Sequence, residues 1–362
     1  MKKIITTSVR IFVALNFIFS GFVKLVDPVG TQIKMEEYFE VLHLDFLVPY
    51  ALAFSVFLIV LEWTLGWWLL LQLRIHTTVY ALTVLTVFFL FLTGFSAVTG
   101  KVTDCGCFGD AIKLTPWETF YKNVVYLLML GWLIYRLKDC KTRKISLSRL
   151  ALAYVFPVAA LIFAVWTVKH LPVIDFRPYA VGKNIKEGMQ IPPGAKPYIF
   201  KDIWYYKVNG EVKAYATEDK PWEIPGAEFV KRKTVEVQKG YDPPVKDFTI
   251  EGDWGDITGQ VLDKPAVYLI LITDPEKLDD RDYKNLMQTV QKLKESKSEF
   301  YLVTADITPK LERWSRTVDT PVNFMDKTTL KTMIRTKAGV MYLEKATVKG
   351  KWTLRDFLKS SS

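Results

Sequence analysis

Two cysteines one residue apart, Cys105 and Cys107, are the side chains in this sequence best suited to chemistry. They sit in Asp104-Cys105-Gly106-Cys107-Phe108-Gly109-Asp110, a short polar break between two long apolar runs. A disulfide between such close neighbours closes a small, strained ring, and Gly106 supplies the backbone freedom that ring demands. A strained, exposed disulfide exchanges readily with other thiols. Residue types alone leave three readings open. The pair is a thiol–disulfide exchange site, or a static disulfide pinning its loop, or two metal ligands completed by Asp104, Asp110 or His43. No Cys-x-x-His or paired-histidine spacing accompanies the third. Thr115-Pro116-Trp117-Glu118 reads as a helix start, with Thr115 as cap and Pro116 in the first turn. That helix end favours a thiolate nearby, whereas Asp104 and Asp110 oppose one.

Glu62 is the second chemically informative residue, because it lies inside the apolar run Val60-Leu61-Glu62-Trp63-Thr64-Leu65-Gly66. A carboxylate at that depth is costly and faces a bundle interior with a partner, for which Arg10 and Lys24 are the candidates. Glu62 is then either half of a structural ion pair or a quinone or proton site. Ser20-Gly21 and Gly66 read as places of close helix packing.

The elements that position these residues follow from the apolar runs. Crossing about 30 Å of hydrocarbon takes roughly 20 helical residues. Five runs qualify: Thr6–Val26, Val48–Leu73, Thr78–Val98, Phe120–Leu137 and Leu150–Val168. The first lacks a small-x-small cleavage site and is interrupted by Arg10 and Asn16, so it reads as a retained helix. Lys2, Lys3, Arg10, Arg74 and the basic group from Arg136 to Arg149 mark the cytoplasmic side, and the acidic loop from Asp27 to Leu47 the opposite one. Cys105 and Cys107 then face outward, into the periplasm of a two-membrane bacterium. Cys140 stays inside, without a role. The net charge of +10 comes with lysines and arginines interleaved with acids or flanking apolar runs. That pattern marks a lipid bilayer, not nucleic acid, as partner.

Everything after the fifth run is read as exported. Residues 171–241 form a β-rich connector with a hairpin from Tyr198 to Tyr215 turning at Asn209-Gly210. Residues 242–362 carry strands at Val267–Ile272, Phe300–Val303, Val322–Met325, Val340–Glu344 and Thr347–Trp352. Helices fall at Asp279–Lys297, Lys310–Thr317, Thr328–Ile334 and Leu354–Leu358. This is the element order of a thioredoxin fold. The chain thus divides into a four-helix membrane domain (1–140), a fifth span (141–170), the connector and an α/β domain. No cysteine follows Cys140, so the last domain performs no thiol exchange of its own. Its aromatic surface candidates are Trp204, Tyr205, Tyr206, Trp222 and Trp254. His76 and His170 read as ordinary interfacial residues.

The first four spans resemble the DoxX-like/MauE family of small four-helix membrane proteins. The resemblance rests on Ser20-Gly21-Phe22-Val23-Lys24-Leu25-Val26-Asp27-Pro28, Glu62 with Gly66, the Cys-Gly-Cys-Phe-Gly string, and Thr115 to Asn123. It implies an inner-membrane accessory protein of periplasmic disulfide chemistry. The MauE branch is associated with maturation of a disulfide-rich methylamine dehydrogenase subunit, and the DoxX branch with a quinone-linked oxidoreductase. The arrangement is similar to fused proteins of Bacteroidetes that carry an exported C-terminal domain. That domain resembles thioredoxin/peroxiredoxin-like domains through Asp247-Phe248-Thr249-Ile250 and Gly339 to Trp352. It departs from them by its missing cysteines and by Ala338, where a proline is expected. Two functions follow as expectations. One is an oxidoreductase component exchanging disulfides at Cys105 and Cys107, with a quinone near Glu62. The other is a non-enzymatic scaffold whose redox-inactive domain binds a periplasmic or envelope partner.

Overall fold

The structure, a computed structural model, describes residues 2–102, 106–137, 146–208 and 210–360. Asp104, Cys105, Asn209 and the basic stretch 138–145 with Cys140 lie outside the described residues. The chain opens with α1 (Lys2–Val26) and α2 (Pro28–Val41), then a 3-10 turn at Asp45–Tyr50. Four more long helices follow: α3 (Ala51–Leu70), α4 (Ile75–Thr99), α5 (Pro116–Leu137) and α6 (Leu147–Lys169).

The five long helices run alternately up and down one bundle, as the contacts at its ends show. At one end Arg10 of α1 donates to the carbonyls of Leu69 and Leu70 that finish α3. There too His76, at the start of α4, pairs with the last carbonyl of α5, and Trp68 donates to Ala153 in α6. The opposite end gathers the end of α1, all of α2, the cysteine turn and the exit of α6. Among the described residues, four segments are long and apolar enough to cross a membrane: Lys3–Val26, Asp45–Leu70, Ile75–Thr99 and Ala151–Lys169. The helix expected as another span over Phe120–Leu137 exists as α5 but is less apolar, carrying Lys122, Asn123, Arg136 and three tyrosines.

The stretch from Asp27 to Leu47, read above as an acidic loop, is mostly the helix α2. Asp27 caps it by accepting from the Gly30 amide at 2.9 Å, and Pro28 occupies the first turn. One face buries Met35, Tyr38 and Phe39 against the bundle; Glu40 is exposed, and Glu36 and Glu37 are half-buried. Glycines set the closest helix approach. A Cβ on Gly21 would lie 2.9 Å from the Trp63 backbone, and one on Gly66 2.9 Å from the Ile18 backbone nitrogen. These two positions bring α1 and α3 into backbone contact.

Beyond α6, the short α7 (Ile185–Gly188) precedes β1 (Ile199–Val208), β2 (Glu211–Ala216) and β3 (Glu228–Gln238). The expected hairpin is β1–β2, but the sheet has three strands in the order β2-β1-β3. The missed strand, β3, has a charged centre at Lys231-Arg232-Lys233 that hides its alternation. A seven-stranded sheet follows, built from β4 (Glu251–Gly252), β5 (Gly255–Asp256), β6 (Val267–Ile272), β7 (Phe300–Thr304), β8 (Val322–Phe324), β9 (Ala338–Glu344) and β10 (Thr347–Thr353). Its order is β10-β9-β6-β7-β8-β4-β5, with β6, β7 and β8 parallel and β9 antiparallel to β6. Leu286, Leu311 and Phe357 cover one face, from α9 (Asp280–Glu295), α10 (Pro309–Thr317) and α12 (Leu354–Lys359). Leu262 and Leu330 cover the other, from α8 (Thr258–Leu262) and α11 (Lys327–Met333). A helical region is thus followed by a mixed α/β domain.

The glycine contact makes a direct prediction. Gly21→Ala and Gly66→Ala each force backbones apart and cost about 1–3 kcal/mol, whereas Gly131→Ala, with nothing within 4 Å, is tolerated. Thermal unfolding followed by detergent size-exclusion chromatography separates the two cases.

Candidate functional site at the cysteine turn

Helical spacing on α1 builds the site. Asn16, Ser20, Lys24 and Asp27 recur every three or four residues and form one polar stripe running to the end of the helix. Each contacts a different part of the protein. Asn16 accepts from the Tyr126 hydroxyl of α5 at 2.9 Å. Ser20 donates to the carbonyl of Cys107 at 2.6 Å. Lys24 pairs with Glu62 of α3 at 2.7 Å, with both side chains buried. Asp27 receives the guanidinium of Arg335 from the α/β domain at 2.8 Å. The partner of Glu62 is therefore Lys24 and not Arg10, which is spent on the α3 carbonyls at the far end.

The cysteine turn folds onto this stripe. Gly106 and Gly109 both adopt left-handed backbone conformations, at φ 60° and 52°, which side chains rarely take. The Gly109 amide closes the turn on the Gly106 carbonyl at 3.0 Å. Phe108 is buried, its ring 5.7 Å from that of Phe19 and 4.2 Å beneath the Lys122 ammonium. Cys107 is half-buried with a free thiol. It lines two small cavities inside the bundle, of about 20 and 30 Å³, that it shares with Lys24 and Glu62. Each has room for a water molecule or two. The redox candidate and the buried carboxylate, far apart in sequence, thus border the same two small cavities. Cys105 lies outside the described residues, so the structure places one thiol of the pair.

Cavities of this size are too small for a quinone ring. His43, considered as a metal ligand, ends α2 and lines neither cavity. The expected helix start at Thr115 is present: Thr115 and Glu118 cap reciprocally, the Glu118 carboxylate accepting from the Thr115 amide at 2.8 Å. These bonds hold that carboxyl below the usual range. A turn over Cys107–Ala111 and several extended residues intervene, however, so α5 does not begin at the thiol. Among the aromatic candidates Tyr206 is buried, Trp204 packs between Trp222 and Phe229, and Trp254 is fully exposed. None lines the cysteine cavities.

Outside the turn, a cleft of about 550 Å³ separates it from the α/β domain, bordered by Gly106, Asp110, Glu36 and Arg335. Charged contacts span its edges. Arg335 bonds Asp27 and also Asp110, the latter at 2.9 Å, and Lys331 faces Glu36 at 3.7 Å. Burial opposes the Arg335 charge, but the two carboxylates more than offset it and hold its pKa above the ordinary value. The segment leaving α6 is fixed likewise. His170 meets Asp356 at 3.0 Å, and the half-buried Asp175 is shared by Arg177 and Lys351, each at 2.7 Å. Burial opposes the Asp175 charge too, yet the two cations hold its pKa down. One carboxylate between two cations leaves the lysine under-compensated. Burial, then the Arg177 charge, push Lys351 down to about 8.

Known proteins support the membrane assignment. Residues 2–136 match the family model described as methylamine utilisation protein MauE. Protein TlpB of Flavobacterium psychrophilum is 29% identical over 134 residues, 36% of this chain. The chain spans 36% of that relative's length. No solved structure matches. With four apolar spans among its described residues, the chain is a membrane protein, similar over residues 2–136 to the MauE family model.

Two predictions follow from the buried charges. Lys24→Met leaves Glu62 buried and unpaired and costs about 3–5 kcal/mol, whereas Lys24→Met with Glu62→Met recovers most of it. Thermal melts in detergent compare the two. For Lys351, the unfolded chain keeps a proton up to its ordinary value of 10.5 that the folded protein sheds near 8. Stability therefore rises with pH between these values, by about 3 kcal/mol at most. Denaturant midpoints at pH 8 and pH 10 read the rise, and Lys351→Met abolishes it.

Proposed function

We propose that this protein is an accessory of thiol–disulfide chemistry on the outer face of a bacterial inner membrane, exchanging disulfides through Cys105 and Cys107. The observation that carries the reading is the convergence of Ser20, Lys24 and Glu62 on Cys107. A buried lysine–glutamate pair sharing its cavities with a half-buried thiol supplies fixed charge where the membrane offers none. All five long helices cross the membrane in this reading. The end of α1, the cysteine turn and the exit of α6 share one end of the bundle, which requires α5 to descend if α6 ascends. The α/β domain then lies in the periplasm, as a thioredoxin-like fold without its own cysteines.

The reaction is a balanced exchange. A thiolate of the reduced pair attacks the disulfide of a periplasmic partner, forming a mixed disulfide and releasing one partner thiolate. The second thiolate of the pair displaces the other partner sulfur. Two electrons pass to the partner, which becomes a dithiol, and the pair becomes a disulfide; the reverse sequence oxidises a partner dithiol. A scaffold reading has its own support, since the α/β domain lacks cysteines and spends its charged residues on docking. There the Cys105–Cys107 disulfide only pins the turn.

Alkylation trapping in cells decides between them. Exchange predicts that Cys105 and Cys107 shift between alkylated and protected forms within minutes of adding a thiol oxidant or reductant. Replacing both by Ser then abolishes function. The scaffold reading predicts one unchanging form, with full function and lower thermal stability in the double Ser variant.

A further inference from the structure

Arg335 belongs to the α/β domain, yet its side chain is committed to the helical region. Nε bonds Asp27 Oδ2 at 2.8 Å, Nη2 bonds Asp110 Oδ2 at 2.9 Å, and Nη1 donates to the Lys331 carbonyl at 2.6 Å. The side chain is 7% exposed. Asp27 ends α1 and caps α2, and Asp110 lies within the turn that begins at Cys107. The guanidinium therefore bridges the helix carrying Ser20 and Lys24 to the turn carrying Cys107. Ser20 already holds that turn from the membrane side through the Cys107 carbonyl. Arg335 supplies the second hold, from the domain side.

The chemistry of the bridge requires arginine. Two carboxylates on separate segments and a carbonyl are met at once by one planar fork, which a lysine ammonium does not reproduce. Gly30 keeps the space open: a Cβ there would lie 2.7 Å from Asp27 Oδ2 and 3.3 Å from Arg335 Nη2. A guanidinium this buried is costly to desolvate, and removing one partner strands the others. Such an arrangement sets geometry more than it adds stability.

We infer that the α/β domain acts in cis on the cysteine turn, with Arg335 as the positioning residue that fixes Asp110 and, through it, the Cys107 thiol over the Lys24–Glu62 cavity. A domain without cysteines thereby controls the presentation of a thiol it does not own. This inference rests on the exchange reading for its purpose, but its geometry is testable separately.

The test uses the reduced, full-length protein in detergent with Cys105→Ser and Cys140→Ser, so that Cys107 alone reacts with N-ethylmaleimide. Arg335→Gln frees the turn and raises the alkylation rate about tenfold, the factor one charge-assisted hydrogen bond carries. Asp110→Asn, a milder change made from the membrane side, raises it similarly, and the double variant no further. Lys264→Gln, which breaks a surface pair with Glu299, leaves the rate alone. An unchanged rate in a folded Arg335→Gln protein overturns the inference, as does multiplication of the two single effects. A merely structural arginine would lower the melting temperature without that non-additivity. Because the assay starts from reduced protein, a pair that never cycles in cells rejects the exchange reading alone, and an unchanged rate rejects the positioning role alone.

Discussion

The structure depends on where the polar residues of α1 point. A helix inside an apolar bundle has no water to satisfy stray polar groups, so each must find a partner on a neighbouring element. Asn16, Ser20, Lys24 and Asp27 do this in turn with α5, the cysteine turn, α3 and the α/β domain. One stripe, about 16 Å long at 1.5 Å per residue, thereby fixes the mutual position of four separate parts of the chain. The backbone contact at Gly21 and Gly66 lets the stripe reach its partners, because a wider α1–α3 spacing would part Lys24 from Glu62.

The same constraint explains how a chemically capable site arises in a hydrophobic setting. Burying one ion pair orders the charges, and the turn bearing Cys107 is held by the Ser20 hydroxyl on one side and by Arg335 through Asp110 on the other. Charged groups concentrate at this end of the bundle, and the α/β domain joins through them at Asp27, Asp110, Glu36 and His170. Polar contacts of this kind confer specificity of arrangement more than net stability. They suit a junction that holds one geometry around the cleft between the cysteine turn and the α/β domain.

Much of this was legible in the sequence, and the failures have physical causes. The long helices announced themselves by apolar length, and the strands of the α/β domain by continuous runs such as Val267–Ile272, because burial on both faces leaves little ambiguity. Glu62 was conspicuous because a carboxylate among leucines and tryptophans is costly. The helix α2 was hidden by its acids, although Asp27-Pro28 is a cap followed by a first-turn proline. The polar stripe of α1 is also readable, although Asn16 taken alone looks like an interruption of the apolar run. Arg335 was not legible at all: its partners lie hundreds of residues away and only the fold brings them together. Strand β3 failed for a local reason, since three successive basic residues mask a two-residue period.

Under the proposed exchange, the Cys105–Cys107 turn forms covalent intermediates with another protein. Mixed-disulfide capture tests it most directly. Cys105→Ser and Cys107→Ser are expressed separately in the native membrane, quenched with acid, and run on non-reducing gels. Exchange predicts that at least one variant accumulates a higher-mass species, released by reductant, that contains an envelope protein with its own cysteine pair and is absent from the double variant. Neither single variant forming such a species, with each at normal abundance in the membrane, contradicts the claim.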